Sequence, residues 1–433
     1  MSIDRLSPVQ DDPAGARQAP SSFLSAHGSR YMWVVLALAV TTQTAGSVIS
    51  QGIYTLVPFW KSAFGLSPAL ASLAVSALNG GQILSMLGLG RAIDRHGERL
   101  VLSLTLIAAA LTAFAAAAFA STYPVLLLLI LILGAFYASV QTGGTRAILR
   151  WFPPERRGLA TGCRQAAVPL GTALAALILP SLAAWRGWPL AVAAQGVIGI
   201  FGGVVFWLLY RENAGGAAGR APVSSPPKIR DLVKALGRDT PFWPVLAAGI
   251  AMSAFQFTFT AYAILFMADR LGLPIVAGAA LFAVAQLVGI PSRILLPWLS
   301  DLLWPGSRIR SLGWIMLACV LAAALFAFLP KGAPHWALVL SLVPIGVFGI
   351  GWFPLFILEI AETAPKNATA STISFAWMLC MIAMSLAPFA FGLVADSLNY
   401  GTAWALLIVP VFVTAIPLCK IEKTMLGRCA VRT

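Results

Sequence analysis

Arg164 and Arg293 stand inside long apolar stretches of the sequence, and their presence there calls for a chemical reason. Arginine keeps its proton in proteins and presents a planar fork of donors that fits a carboxylate or another oxyanion in two parallel bonds. A charge at membrane depth is costly, so such a residue is a functional candidate unless it serves a structural partner. With a helix starting near Glu155, Arg164 lies about 14 Å along the axis, close to the midplane of a hydrocarbon core about 30 Å thick. Arg293 reaches a similar depth. It precedes Asp301 by eight residues, and Gln286 sits seven residues earlier on the same helical face. A pocket holding both guanidiniums, with no carboxylate at their depth, is positive and suits a small organic carboxylate.

Neutral polar residues recur at helical spacing around these arginines. Gln43, Ser47, Gln51 and Tyr54 form one stripe, and Tyr137, Gln141 and Thr145 another. Ser253, Gln256, Phe257 and Thr260 form a third, Ser371, Ser374, Trp377 and Met378 a fourth, and Asn79 adds a single point. Serine and threonine often bond their own helix, so the glutamines weigh more as ligands. Tyr54, Phe257, Trp352 and Trp377 offer faces on which a ring could stack. Arg146 lies one or two turns inside its stretch and fits a gate as well as a site. The one carboxylate placed for proton coupling is Glu359, about 9 Å from the end of its stretch. If it does not take the proton, the anion enters with its own or exchanges for another anion.

Enzymatic chemistry has no constellation here. There is no His-Glu-x-x-His, Gly-x-Ser-x-Gly or phosphate-binding loop, and no paired intramembrane aspartates. Cys163, Cys319, Cys380, Cys419 and Cys429 lack metal or redox spacing and read as packing residues, so no cofactor is expected.

The elements that must carry these residues follow from composition. Of 433 residues, 59% are hydrophobic and 10% charged, against about 25% charged in soluble chains, so the chain is an integral membrane protein. Twelve spans are expected near 31–57, 67–90, 100–120, 124–147, 156–182, 188–210, 242–267, 275–298, 311–329, 336–360, 370–395 and 402–419. The first is too long and too far from the start to be a cleaved signal peptide. Loops after odd-numbered spans hold only Lys61, Arg186, Arg270 and Lys331 of the 29 basic residues. The other side, with both termini, is therefore expected to be cytoplasmic. The net charge of +14 is a topology signal, and no concentrated basic face points to nucleic acid.

The expected organisation is a disordered tail over 1–29, a six-helix unit over 30–211, a linker over 212–240, a second six-helix unit over 241–419 and a tail over 420–433. Within the linker, Ile229, Leu232, Val233 and Leu236 fall on one face, which fits a short amphipathic helix on the membrane surface. The halves echo each other. An Asp follows a helix-breaking residue by four positions at Gly90 and Asp94, and again at Pro297 and Asp301. Internal repetition of this kind marks a two-domain secondary transporter.

Gly90, Asp94, Arg95, Gly97 and Arg99 stand in the order Gly, three residues, Asp-Arg, one residue, Gly, one residue, basic residue. This segment resembles the cytoplasmic signature loop of the major facilitator superfamily. Arg157-Gly158, the Gly-Ile-Gly-Trp of Gly349 to Trp352, and Gly392 to Asp396 add to the resemblance, which spans essentially the whole chain. It implies an all-α membrane fold of two pseudo-symmetric six-helix bundles, working by alternating access. It also implies that the fifth and eighth spans face each other across the halves, and that Gly90, Asp94, Arg95, Gly97, Arg99, Arg146 and Asp301 act in gating. Asp94 is expected to pair with an arginine of the loop or to face a helix N-terminus of the other half. The substrate residues expected are Arg164, Arg293, Gln43, Gln51, Tyr54, Gln141, Gln256, Gln286 and Trp377, with Glu359 for the proton. The stretch from Arg157 to Gly171 looks like the branches that carry organic anions and cyanate-like ions. The reading is a monomeric anion transporter of a bacterial cytoplasmic membrane, coupled by proton symport or anion exchange. The competing readings are a drug:proton antiporter, disfavoured by Val168-Pro169 where a Gly-Pro pair belongs, and a non-transporting sensor on the same scaffold.

Overall fold

The computed structural model describes residues 26–212, 233, 234, 236, 237, 241–304, 308–365 and 369–420. Among them are twelve helices long and apolar enough to cross a membrane. They are α1 (Ala26–Phe64), α2 (Pro68–His96), α3 (Glu98–Phe119), α4 (Tyr123–Trp151), α5 (Pro154–Arg186) and α6 (Trp188–Leu209), then α7 (Phe242–Asp269), α8 (Ile275–Leu303), α9 (Arg308–Ala327), α10 (His335–Glu362), α11 (Thr369–Ser397) and α12 (Tyr400–Lys420). Helices satisfy their backbone within the segment, which hydrocarbon requires.

Several helices outrun the expected spans. α1 continues to Phe64 and α2 to His96, because Lys61, Arg91 and Arg95 end the apolar run without ending the helix. Real stops are local. Ser67 caps α2 with its hydroxyl accepting from the Leu70 amide at 3.3 Å, and Gly97 breaks α2 from α3 at φ 85°. α10 is not continuous: Ile345–Ile350 form a π turn bounded by Pro344, with Pro354 just beyond, where two prolines remove helical donors.

Three expectations fall largely outside the described residues. These are the tail over 1–25, most of the 213–240 linker, and the tail over 421–433. At the edges the structure differs from the sequence reading. α1 begins at Ala26, and Leu236 is buried, with the Trp243 indole donating to the Gly237 carbonyl at 2.6 Å, so this point of the linker packs on protein.

Helices α1 to α6 pack as one bundle, with α2 on α4, α1 on α5 and α3 on α6. The second bundle packs α9 on α12, α7 on α11 and α8 on α10. The halves meet where α5 crosses α8, α2 crosses α11 and α1 approaches α7. The α2–α4 contact is backbone on backbone. A Cβ on Gly81 would lie 2.0 Å from the Leu131 carbonyl oxygen, and one on Gly134 would lie 2.1 Å from that of Leu78.

The two ends of the molecule are held differently. At the end formed by the α1–α2 turn, called the far end, Lys61 pairs with Asp269 at 2.5 Å and the Tyr400 hydroxyl donates to the same carboxylate at 3.0 Å. Beside them the Ala69 amide donates to Asp396 at 3.0 Å, and the Tyr262 hydroxyl donates to the Pro68 carbonyl at 2.9 Å. Asp396 thus sits at the positive N-terminus of α2. At the linker end, every ion pair among the described residues lies within one half. Among the described residues, the ion pair that joins the halves lies at the far end.

Two outcomes are expected. Gly134→Ala forces α2 and α4 apart and lowers the thermal midpoint of the detergent-purified protein by several degrees, the effect of roughly 1–3 kcal/mol of overpacking. Asp269→Ala removes the shared acceptor of Lys61 and Tyr400, a pair of a kind worth about 0.2–1 kcal/mol. In a Ser76→Cys background it raises maleimide labelling about two- to fivefold, and an unchanged rate would show that this pair does not hold the far end closed.

Candidate substrate site

Arg164 leaves α5 toward α1 and α4 and is 2% exposed. Its Nη1 donates to the Gln43 side-chain oxygen at 2.5 Å and to that of Gln141 at 3.4 Å, and its Nη2 donates to Gln141 at 3.4 Å and to the Thr145 hydroxyl at 2.8 Å. Gln43 is oriented by its own amide, which donates to Ser47 at 3.3 Å and to the Tyr137 hydroxyl at 3.5 Å. The stripes on α1 and α4 therefore meet at one guanidinium. Its Nε has no partner among the described residues.

Arg293 is 7% exposed and is held by backbone. Its Nε donates to the Ile350 carbonyl of α10 at 3.2 Å and its Nη1 to the Gln165 carbonyl of α5 at 2.8 Å, with its Cζ 5.9 Å from the Phe353 ring centre. Phe353 meets Trp377 edge-on at 5.1 Å, and the Trp352 indole donates to the Gln256 side chain at 2.8 Å. The two arginines thus approach the same turn of α5, and no residue partners both.

The remaining expected ligands fall into two groups. Tyr54 is buried, takes a hydrogen bond from the Asn79 amide at 3.1 Å and meets Phe257 of the other half at 6.1 Å. Gln51 and Gln286 form no hydrogen bond among the described residues, Gln286 being buried and Gln51 half-buried. Glu359 is 4% exposed in α10 and its carboxyl makes no ion pair among the described residues. No group of three or more metal-ligating side chains occurs among the described residues.

The gating residues carry one correction. Asp94 pairs neither with an arginine of its own loop nor with the other half, but with Arg146 of α4. The reason is Glu98, which is fully buried at the start of α3 and draws α4 in: Arg150 approaches it at 3.0 Å and Arg146 at 3.6 Å. Tyr210, just past α6, donates to Glu98 at 2.7 Å, and burial pushes its hydroxyl well above the ordinary tyrosine range, so it stays a donor. Glu98, Arg150 and Tyr210 were not expected. The i, i+4 spacing of Arg146 and Arg150 beside an acidic residue in the signature loop was the available signal. Gly97 faces Glu212, whose oxygen lies 2.1 Å from where a Cβ would be. Arg99 donates to the Trp207 carbonyl at 2.9 Å and lies over its ring. Arg95 is exposed without an ion pair among the described residues, and Gly90 has open space around it. In the second half Asp301 accepts from Arg308 at 2.7 and 3.1 Å, and Arg308 also pairs with Glu362, so α9 supplies the base that faces Asp301.

Lys61, Arg146, Arg150 and Arg308 all face carboxylates. Arg164 and Arg293 face only neutral oxygens among the described residues. Two buried cations without counter-charge are the electrostatic feature of this site.

Residues 32–388 match the family described as the Major Facilitator Superfamily. An MFS-type transporter of Mycobacterium tuberculosis is 27% identical over 91% of this chain and 86% of its own length. The hexuronate transporter of Bacillus subtilis is 21% identical over 78% of this chain and 82% of its own. A bacterial homologue of the human lysosomal transporter Spinster, solved in an inward-facing, unoccupied conformation, superposes with a TM-score of 0.70 at 17% identity, covering 90% of this chain and 95% of that one. The chain belongs to the Major Facilitator Superfamily and is a multi-pass membrane transporter, not an enzyme.

Proposed function

We propose that this transporter moves a small organic carboxylate by alternating access, with Arg164 as its principal charge partner and Arg293 as the second. The observation that carries the reading is the neutral surroundings of Arg164: a buried guanidinium held by Gln43, Gln141 and Thr145 lacks an anion, and an arriving carboxylate supplies one. Gln51, Gln256 and Gln286 bring amides that can both donate to and accept from hydroxyl groups, while Tyr54 and Trp377 offer apolar ring faces. A hydroxylated acid fits that lining, and a relative that carries hexuronates supports it. The basic residues at the linker end favour that end as the cytoplasmic one. Glu359, buried and without an ion pair among the described residues, is the group proposed to take the proton in symport.

The test is uptake into proteoliposomes under imposed pH and voltage gradients, with D-glucuronate, lactate and benzoate as probes. Arg164→Ala and Arg164→Lys each weaken apparent affinity for the transported acid about 10- to 100-fold, since both lose the fork, while insertion and thermal stability stay near the parent's. Unchanged affinity in both variants would sink the assignment. Glu359→Gln keeps exchange of internal for external substrate and loses uptake driven by an acid-outside gradient. Gradient-driven uptake at parental rate in that variant removes Glu359 from the coupling step.

A further inference from the structure

Three of the helix carbonyls that lie four residues before a proline are each served by a side chain from another helix. Gln165 precedes Pro169, Ile350 precedes Pro354 and Met384 precedes Pro388. Proline has no N–H, so the carbonyl four positions earlier loses its helical donor and in hydrocarbon takes one from elsewhere. Asn79 of α2 donates to the Met384 carbonyl of α11 at 3.4 Å. Arg293 serves the other two, at 2.8 Å to Gln165 and 3.2 Å to Ile350. The Gln165 bond crosses between the halves, and the Ile350 bond holds the end of the π turn in α10. One guanidinium therefore ties α8 and α10 of the second half to α5 of the first.

We propose that Arg293 is a clamp between the halves with two exchangeable acceptors: the Gln165 carbonyl, made available by Pro169, and the substrate anion. The exchange rests on the function proposed above; the clamp itself does not. A carboxylate is a stronger acceptor than a neutral carbonyl. An anion reaching Arg293 draws Nη1 off α5 while Nε stays on Ile350. Loading then loosens the α5–α8 contact and preserves the α8–α10 contact, so the second half moves with its substrate ligand in place. Pro169 acts as a positioning residue: it touches no substrate and determines what Arg293 holds when the site is empty.

The full-length protein in liposomes, with its cysteines replaced, is spin-labelled at Ser121 and Lys331, exposed positions in far-end turns of the two halves. Inter-label distances are measured without ligand and with D-glucuronate. Pro169→Ala restores the N–H that serves Gln165 and leaves Arg293 in place. It raises the far-end-open population roughly threefold without ligand, the effect of one hydrogen bond of ordinary strength. Arg293→Met shifts the distribution the same way, and the double variant shifts no further than either alone, because both remove the same bond. Gln165→Ala, which keeps the carbonyl, leaves the distances unchanged. In uptake, Pro169→Ala lowers KM without raising kcat, a split that general loosening of the fold does not produce. An unchanged ligand-free distribution in Pro169→Ala overturns the clamp whatever uptake shows. A shifted distribution on which D-glucuronate has no effect overturns the exchange of acceptors. Normal affinity in Arg164→Ala alongside the shift overturns the anion reading alone.

Discussion

Hydrocarbon offers no hydrogen bonds, so a carbonyl orphaned by a proline and a charge set at membrane depth both gain from a partner elsewhere in the chain. In this transporter those partners are specific and few. The carbonyls before Pro169, Pro354 and Pro388 are met by Arg293 and Asn79, and the cation of Arg164 is met by three neutral side chains.

The distribution of charge along the membrane normal separates two tasks. Within each half, carboxylates and arginines at the linker end brace neighbouring helices, as Glu98 does for α4 and Arg308 for α8 and α10. Between the halves, charge works at the far end, through Lys61 with Asp269 and through Asp396 on the α2 N-terminus, and in the interior, through Arg293 on the Gln165 carbonyl. Arg164 and Arg293, which face only neutral oxygens among the described residues, lie between these layers.

Much of this was legible in the sequence. Twelve apolar runs of bilayer length, the central Gly- and Pro-rich break and the signature loop led to the architecture, and the depth of Arg164 singled it out before any geometry was known. Partners were less accessible. That Arg146 meets Asp94 depends on how α4 leans on α2, which follows from Gly81 and Gly134 lying backbone to backbone, and hydropathy carries no trace of that contact. For Arg293 the sequence leaves open an anion ligand or a residue that serves structural partners, and the rule that proline orphans a carbonyl four residues earlier points to Gln165 and Ile350, the two carbonyls it serves. Helix ends ran past the apolar limits because arginine and lysine end a hydrophobic run while remaining good helix formers.

The contact of α2 with α4 has a mechanical consequence. Two helices separated by side chains can slide as those side chains change rotamer, but two backbones in direct contact at Gly81 and Gly134 have no such compliant layer between them. The pair behaves as one strut. At one end of it lie Pro68 and Ala69, which hold the second half through Tyr262 and Asp396; along it lie Gln141 and Thr145, which hold Arg164; at the other end Asp94 grips Arg146. On the function proposed for Arg164, a displacement of Gln141 or Thr145 would reach the far-end contacts of Pro68 and Ala69 through this one pair of helices.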